Sequence, residues 1–152
     1  MTSFTWQDPE NIRFMLEDCE TWAVVGLSGD PLRTAYGVSA WMQAVGKRIV
    51  PIHPRFAASG DEGRVLGEPG YPTLADVPFE IDVVDVFRRS SAAGRFADEA
   101  VEVGARGVWF QLGVVDQAAF ERTTAAGVPM VMDTCPKIEW PRLARGDLAH
   151  GR

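Results

Sequence analysis

The chain alternates between short runs of consecutive apolar residues and longer stretches in which apolar residues recur every three or four positions. The run at residues 22–27 is apolar at successive positions, which is typical of a parallel strand covered on both faces. Further short runs of strand type lie at 48–53, 71–78, 81–87, 107–112 and 127–132. The pattern therefore predicts five or six strands, and the segment 71–78 is expected to lead from a short strand into one helical turn.

The stretches between these runs have the spacing of amphipathic helices. Asp8, Pro9 and Glu10 form a helix start, which predicts an N-terminal helix over about 9–19. A second helix is expected to end at Gly46, and Asp116 is the expected N-cap of a helix that runs to about residue 126. Helices are also predicted over 90–104 and 136–144. The inward-facing positions of the helices are predicted at Ile12, Met15, Leu16, Cys19, Val38, Trp41, Met42, Val45, Phe96, Ala100 and Val103.

Alternating strands and helices predict an α/β protein with a parallel sheet. Because crossovers between parallel strands are right-handed, few topologies remain. We expect a Rossmann-like, doubly wound parallel sheet of five to six strands, with helices on both faces and the strand order 3-2-1-4-5. The chain, residues 1–152, is expected to be a single domain with its core at about 21–144 and a polar C-terminal tail. Residues 55–70, rich in Gly, Ala, Ser and charge, are predicted to form a loop.

The charge balance bears on the kind of partner. The net charge is -6 and the sequence pI about 4.9, whereas a general nucleic-acid binder usually has a basic surface. The N-terminus has no basic region followed by an apolar core, and no apolar run approaches membrane-spanning length. Cys19 and Cys135 do not make a disulfide framework, and no His, Cys, Asp and Glu cluster has metal-ligand spacing. A cytoplasmic protein without nucleic-acid, membrane or metal partners is expected.

Cationic and glycine-rich segments follow the predicted strands, at the edge where open α/β sheets bind their ligands. The first strand ends in a turn that begins at Gly26, whose backbone N–H groups are suited to phosphate oxygens, as is the following helix N-terminus. Arg88 and Arg89 follow the fourth strand and can clamp a phosphate bidentately. The other strand ends carry His53, Arg55 and Lys137. This edge therefore predicts a ligand with several phosphates.

The second strand restricts the identity of that ligand. The motif G-x-G-x-x-G is absent after the first strand, and the second strand ends without the Asp or Glu that bonds the ribose hydroxyls of NAD. Arg55 follows this strand, while Lys47 and Arg48 precede it. These residues favour a phosphorylated ribose, which leaves NADP and coenzyme A, with its 3′-phosphate, as candidates.

Six segments together resemble one family. The segments are "VVGLSGDPLRTAYGV", "IVPIHP", "YPTLADVP", "IDVVDVFRRS", "GVWFQLGV" and "MDTCPKIEW", in order and at normal spacing over about residues 22–140. They resemble the small CoA-binding proteins, which are similar to the CoA-binding domain of succinyl-CoA synthetase α-subunits. The resemblance implies a stand-alone Rossmann domain that binds CoA or an acyl-CoA, in a family with no established reaction for most members.

The resemblance also implies which residues contact the ligand. Gly26 and Ser28 match the phosphate-contacting loop, and Arg33 and Tyr36 match the segment beside it. The motif near the adenosine corresponds to the end of the second strand, and the remaining matches follow the fourth and fifth strands. These positions are Pro51, His53, Pro54, Phe87, Arg88, Arg89, Gln111 and Gly113.

No catalytic constellation is evident in the sequence. The related synthetases use a phosphorylated histidine on a further domain, and neither His53 nor His150 has the appropriate context. Cys135 precedes Pro136 at an expected helix N-terminus with Lys137 nearby, and both factors lower the pKa of a thiol. We therefore hypothesise that Cys135 exchanges with the CoA thiol in a mixed disulfide. Asp133 is expected to cap the same turn.

Three functions remain for comparison. The first is a module that binds CoA or an acyl-CoA without its own turnover. The second is an NADP-linked oxidoreductase, and the third is an interaction protein with a vestigial nucleotide cleft. Trp22 and Trp109 are expected in the core. Trp6 and Trp140 are expected either to pack on each other or to lie in a dimer interface. A homodimer or an unknown protein partner is possible from the sequence.

Overall fold

The computed structural model describes residues 5–57 and 63–146. Its strands are β1 (Thr21–Val25), β2 (Arg48–Ile52), β3 (Arg64–Val65), β4 (Glu68–Pro69), β5 (Val83–Val86), β6 (Gly107–Phe110) and β7 (Met130–Val131). Its helices are α1 (Pro9–Arg13), α2 (Thr34–Ala44), α3 (Ser90–Glu102), α4 (Gln117–Ala125) and α5 (Pro136–Arg145). A π-helical turn, Phe14–Asp18, extends α1, and a 3₁₀ turn lies at Leu74–Asp76.

The main sheet is five-stranded and parallel, with the order β2-β1-β5-β6-β7. This arrangement confirms the Rossmann-like fold and its predicted order. The segment predicted as the third strand lies beside β2, but it contributes only one isolated parallel bridge, between Tyr71 and Ile52. Because β1 lies between β2 and β5 and all three strands are parallel, the turns after these three strands meet at one edge.

Helices cover both faces of the sheet and complete two cores. On one face, α3 and α4 contribute Phe96 and Phe120 to a cluster with Val84. On the other, α1, α2 and α5 pack over a cluster that contains Val83 and Trp109. Successive strand residues alternate between the two clusters, as the pleat requires.

The predicted helix ends agree with the caps observed. The Asp8 carboxylate accepts hydrogen bonds from the backbone N–H groups of Glu10 and Asn11, and that of Asp116 accepts one from Ala119. Val103 is an exception among the predicted core positions, since 37% of it is exposed just beyond the end of α3.

One other expectation is wrong, and one of the two alternatives for Trp6 and Trp140 is excluded. The segment predicted as a loop contains an antiparallel hairpin of β3 and β4, although residues 58–62 lie outside the described range. Trp6 and Trp140 do not pack on each other: Trp6 donates a hydrogen bond to Gln117, and Trp140 packs edge-on against Trp41. Each ring thus belongs to a different face of the sheet.

Trp22 and Trp109 are fully buried, with ring centroids 5.5 Å apart, as predicted. The predicted tail beyond residue 146, which includes His150, lies outside the described residues. Within the described ranges, none of the helices combines the length and apolar character needed to cross a membrane.

Candidate functional site at the carboxyl edge of the sheet

A pocket of about 620 Å³ opens at the carboxyl ends of β1, β5 and β6. It brings together residues that sequence analysis had selected from four different turns. The selected residues among its lining are Gly26, Arg33, Phe87, Arg88, Arg89, Gln111 and Gly113, with Cys135 at the far side. Leu32, Thr34 and Leu112 also line it, and no sequence signal had marked them.

The turn after β1 fits closely against the residue after β5. Gly26 has a φ of +102°, and a Cβ at this position would lie 2.8 Å from the carbonyl oxygen of Phe87. A side chain there is therefore excluded both by the backbone conformation and by the neighbouring main chain. Glycine at position 26 lets the β1 turn reach the wall of the pocket.

Three helices begin at this pocket, and none of them has a side-chain cap. The N-cap residues are Arg33 for α2, Arg89 for α3 and Cys135 for α5, and all three line the pocket. By contrast, α1 and α4, whose residues do not line it, are capped by aspartates. Free N–H groups at a helix N-terminus carry partial positive charge and bind anions, so the pocket suits a negatively charged ligand.

Arginine side chains add full positive charge to the pocket. Arg88 is half-buried and its guanidinium lies 5.9 Å from the ring of Phe96. Arg89 is exposed and donates to the Ser91 hydroxyl at 3.2 Å. Across residues 5–57 and 63–146, no carboxylate forms an ion pair with either arginine. Their charge is therefore available to a ligand.

A second, smaller pocket of about 140 Å³ lies between the end of β2 and α3. Two of the expected site residues, His53 and Pro54, line it together with Pro72, Thr73 and Glu99, which were not expected. Gly26 and Arg88 belong to the lining of both pockets. The two pockets are therefore adjacent and meet at these two residues.

His53 is a neutral hydrogen-bonding group in this setting. Burial, followed by the positive charges of Arg55, Arg88 and Arg33, lowers the pKa of its imidazole below the usual value. Its Nδ1 accepts a hydrogen bond of 3.2 Å from the backbone N–H of Arg55. The neutral ring therefore carries its proton on Nε2 and can donate from that atom.

The three cations near β2 separate into two groups. Arg55 lies at the carboxyl end, where its Nε donates to the carbonyl of Ser28 at 2.6 Å. Lys47 lies at the other end, where its ammonium donates to the Cys19 carbonyl at 2.7 Å, and Arg48 pairs there with Glu68 at 3.9 Å. Of these three cations, Arg55 alone lies at the carboxyl edge of the sheet, where the two pockets open.

Ser28, Tyr36 and Pro51 are not part of the lining of these two pockets. The Ser28 hydroxyl accepts a 3.4 Å hydrogen bond from the backbone N–H of Asp30 within the β1 turn. Tyr36 is half-buried against the core under α2, and Pro51 is buried in β2. The structure gives the last two a packing role.

Cys135 is a free, buried thiol with 8% of its surface exposed. It occupies the N-cap position of α5, as expected from the following proline. Asp133 does not cap this turn: its carboxylate accepts a 2.7 Å hydrogen bond from the Gly113 N–H. Asp133 instead ties the turn after β6 to the turn after β7.

A buried carboxyl group that was not among the expected site residues lies beneath the larger pocket. Asp85 in β5 has no exposed surface, and its Oδ1 accepts a 2.6 Å hydrogen bond from Nε2 of Gln111. Burial raises the pKa of Asp85 to about 7, and the hydrogen bond from Gln111 offsets part of that rise. The signal was present as a charged residue within the apolar run 81–87. No group of three or more His, Cys, Asp and Glu within the described residues is arranged to hold a metal ion.

Comparison with known proteins agrees with this architecture. The uncharacterized protein YneT of Bacillus subtilis (strain 168) is 36% identical over 127 residues, which are 84% of this chain and 90% of that protein. A hypothetical protein from Pyrococcus horikoshii OT3 superimposes with a TM-score of 0.81 at 30% identity, covering 95% of this chain and 99% of that one.

A distant likeness extends to a larger enzyme. The dinucleotide-forming acetyl-coenzyme A synthetase 1 of Ca. Korarchaeum cryptofilum, in complex with phosphate and ADP, matches with a TM-score of 0.66 at 20% identity. The match covers 81% of this chain but 28% of the synthetase, so it supports the fold alone. The family model described as "CoA binding domain" matches residues 20–141. The chain therefore belongs to the CoA binding domain family.

Proposed function

We propose that this protein binds coenzyme A or an acyl-CoA across the two pockets, without a catalytic turnover of its own. The observation that carries the proposal is the convergence of three uncapped helix N-termini and Arg88 on one pocket. Coenzyme A consists of an adenosine with a 3′-phosphate, a diphosphate and an uncharged pantetheine arm. We assign each of these parts to residues of suitable chemistry at the carboxyl edge of the sheet.

The diphosphate is assigned to the junction of the two pockets. Gly26 and Arg88 line both of them, and the N-terminus of α2 opens beside Gly26. Backbone N–H groups and a guanidinium are the usual donors to phosphate oxygens. With the diphosphate at the junction, one pocket remains for the adenosine with its 3′-phosphate and the other for the uncharged pantetheine arm.

The adenosine is assigned to the smaller pocket and the pantetheine arm to the larger one. Pro54 and Pro72 give the small pocket an apolar wall suited to a flat base, and His53 supplies a donor. Arg55, the residue after Pro54, is assigned to the 3′-phosphate. The larger pocket has apolar walls at Leu32 and Leu112 together with the amide of Gln111.

Turnover is not proposed because the pocket nucleophile lacks an activating partner. Within the described residues, no His or carboxylate hydrogen-bonds to the Cys135 thiol, whereas nucleophilic catalysis uses such a base. We propose exchange with a disulfide instead. The Cys135 thiolate attacks one sulfur of oxidised CoA, the Cys135–S–S–CoA bond forms, and CoA thiolate leaves.

Titration with the two halves of the ligand tests this assignment. Calorimetry should detect 3′,5′-ADP binding more weakly than CoA, and CoA should displace it completely. Pantetheine alone should bind weakly, since it lacks the charged centre. If 3′,5′-ADP and CoA bound with equal affinity, the assignment of the larger pocket to the pantetheine arm would be wrong. Tighter binding of NADP than of CoA would favour the oxidoreductase, and no binding of either would favour an interaction module.

A further inference from the structure

We propose that Asp85 is a positioning residue for ligand binding: it fixes the Gln111 side-chain amide so that Gln111 Oε1 is offered to an amide N–H group of the pantetheine arm. The inference rests on the proposed function and concerns the same pocket. It assigns a role to a buried carboxyl group that has no part in stabilising charge elsewhere in the fold.

Asp85 and Gln111 form a buried hydrogen-bonded pair at the wall of the larger pocket. Asp85 and Gln111 lie at neighbouring positions on β5 and just beyond β6, on the face of the sheet that α2 and α5 cover. Gln111 Nε2 donates to Asp85 Oδ1 at 2.6 Å. Only 5% of Gln111 is exposed, and it lines the larger pocket. Its amide is thus held between the carboxyl group and the pocket.

The hydrogen bond to Asp85 also sets the orientation of the Gln111 side-chain amide. A glutamine amide has one donating and one accepting arm. With Nε2 engaged by Asp85, the accepting arm is Oε1, and no hydrogen bond to Oε1 comes from any residue that the structure describes. An apolar residue at position 85 would leave either arm free to face the pocket. Asp85 therefore selects an acceptor, which matches the two amide N–H groups of pantetheine.

No ion pair explains why position 85 in the core carries a carboxyl group. Among the residues that the structure describes, the buried Oδ2 of Asp85 has no hydrogen-bond partner, and no cation contributes to its pKa. The buried residues of α2 on this face are not titratable. Cys19, which follows the π-helical turn, is a neutral thiol because burial raises its pKa to about 11. From α5 come Cys135 and Glu139, and Glu139 pairs with Arg142. A lone buried carboxyl group that only packed would be destabilising relative to an apolar residue.

The burial of Asp85 also predicts that the affinity for CoA depends on pH. Because Asp85 ionises near neutral pH in the fold, it becomes an anion beneath a pocket that takes an anionic ligand. Repulsion between this carboxylate and the anionic ligand disfavours the ionised form. Affinity for CoA should therefore fall as the pH rises through about 7, and a neutral isostere should lack this part of the dependence.

The test combines three variants with calorimetric CoA titrations between pH 6.5 and 8.5. Asp85→Leu and Gln111→Met should each weaken CoA binding roughly ten-fold, the usual value of one buried hydrogen bond, and the double variant should be no weaker than either single one. Asp85→Asn retains the acceptor oxygen, so it should restore binding and flatten the pH profile.

Several results would overturn the inference. One is a folded Asp85→Leu protein that binds CoA as the parent does, and another is an additive double variant. If Asp85→Leu did not fold, the Asp85→Asn pH profile would decide, and a profile identical to that of the parent would overturn the inference. Absence of CoA binding by the parent protein itself would instead refute the proposed function, and the positioning role with it.

Discussion

Gly26 and Phe87 are in direct main-chain contact: a methyl group on Gly26 would lie 2.8 Å from the Phe87 carbonyl oxygen. The contact joins the turn after β1 to the turn after β5, the two turns that bound both pockets. The position of Arg88, the next residue along the chain, depends on this approach.

Replacing Gly26 by alanine should separate the two turns. Alanine is strained at a φ of +102°, and its methyl group would push against the Phe87 main chain. We expect Gly26→Ala to lower the free energy of unfolding by roughly 2–3 kcal/mol and to abolish CoA binding. Chemical denaturation and calorimetry measure the two effects.

Gly37→Ala is the matched control for that change. Gly37 lies in α2, and a methyl group added to it would have no neighbouring atom within 4 Å. Alanine is also the better helix former. The control should be neutral or slightly stabilising and should bind CoA normally. Equal effects of the two substitutions would contradict the role given to the Gly26–Phe87 contact.

Arg88→Ala should weaken CoA binding roughly ten- to hundred-fold, because a charge-assisted contact to phosphate is lost at the junction of the pockets. The matched control is Arg106→Ala, since Arg106 lies at the opposite edge of the sheet in an ion pair with Asp82. Calorimetry at two salt concentrations measures both. An Arg88→Ala protein with unchanged affinity would disprove the phosphate assignment.

Arg55→Ala should reduce the preference for CoA over dephospho-CoA. The side chain lies beside the β1 turn through its hydrogen bond to Ser28, so its loss should weaken CoA binding while leaving dephospho-CoA binding nearly unchanged. Arg48→Ala, at the other end of β2, is the control and should keep the preference. If Arg55→Ala weakened both ligands equally, another cation would have to meet the 3′-phosphate.

Asp85→Asn should stabilise the protein at neutral pH but not in acid. The pKa of Asp85 rises from 3.8 to about 7 in the fold, so the folded protein binds one proton more than the unfolded chain between these values. Stability of the parent therefore falls as the pH rises from about 4 to about 7. Above pH 7 the asparagine variant should be more stable by roughly 2–4 kcal/mol.

Thermal unfolding of the parent and of Asp85→Asn, measured from pH 4 to pH 8.5, tests this difference in stability. The two proteins should unfold at similar temperatures near pH 4 and diverge as the pH increases. A difference of constant size across the range would mean that Asp85 does not ionise in the manner inferred from its burial.

Incubation with oxidised CoA should add one CoA through a disulfide at Cys135, detected as a mass increase that a reductant reverses. Cys135→Ser should remove the adduct. Cys19→Ser should not, because Cys19 is buried and burial raises the pKa of its thiol to about 11. An adduct that persists in Cys135→Ser would place the exchange at another residue.

The sequence was sufficient to predict the fold because hydrophobic spacing and helix caps agree along the chain. The apolar run at residues 22–27 predicts a strand where β1 lies, and Asp116 caps α4 as predicted. The topology then follows from right-handed crossovers, and with it the edge at which Gly26 and Arg88 meet.

Other features depended on contacts that no local pattern encodes. The hydrogen bond from Gln111 to Asp85 joins residues 26 positions apart, and a single Asp in a strand does not reveal its partner. The hydrogen bond from Arg55 to the Ser28 carbonyl, which holds the arginine beside the β1 turn, likewise joins residues 27 positions apart. The absence of caps on α2 becomes informative only when the helix is seen to begin at a pocket.

The most direct test of CoA binding at this edge is calorimetric titration of the parent protein with CoA, dephospho-CoA, NADP and NAD. We predict the tightest binding for CoA, weaker binding for dephospho-CoA, and little or none for NAD. Preference for NADP over CoA, or a folded protein that binds none of the four, would contradict the proposed function.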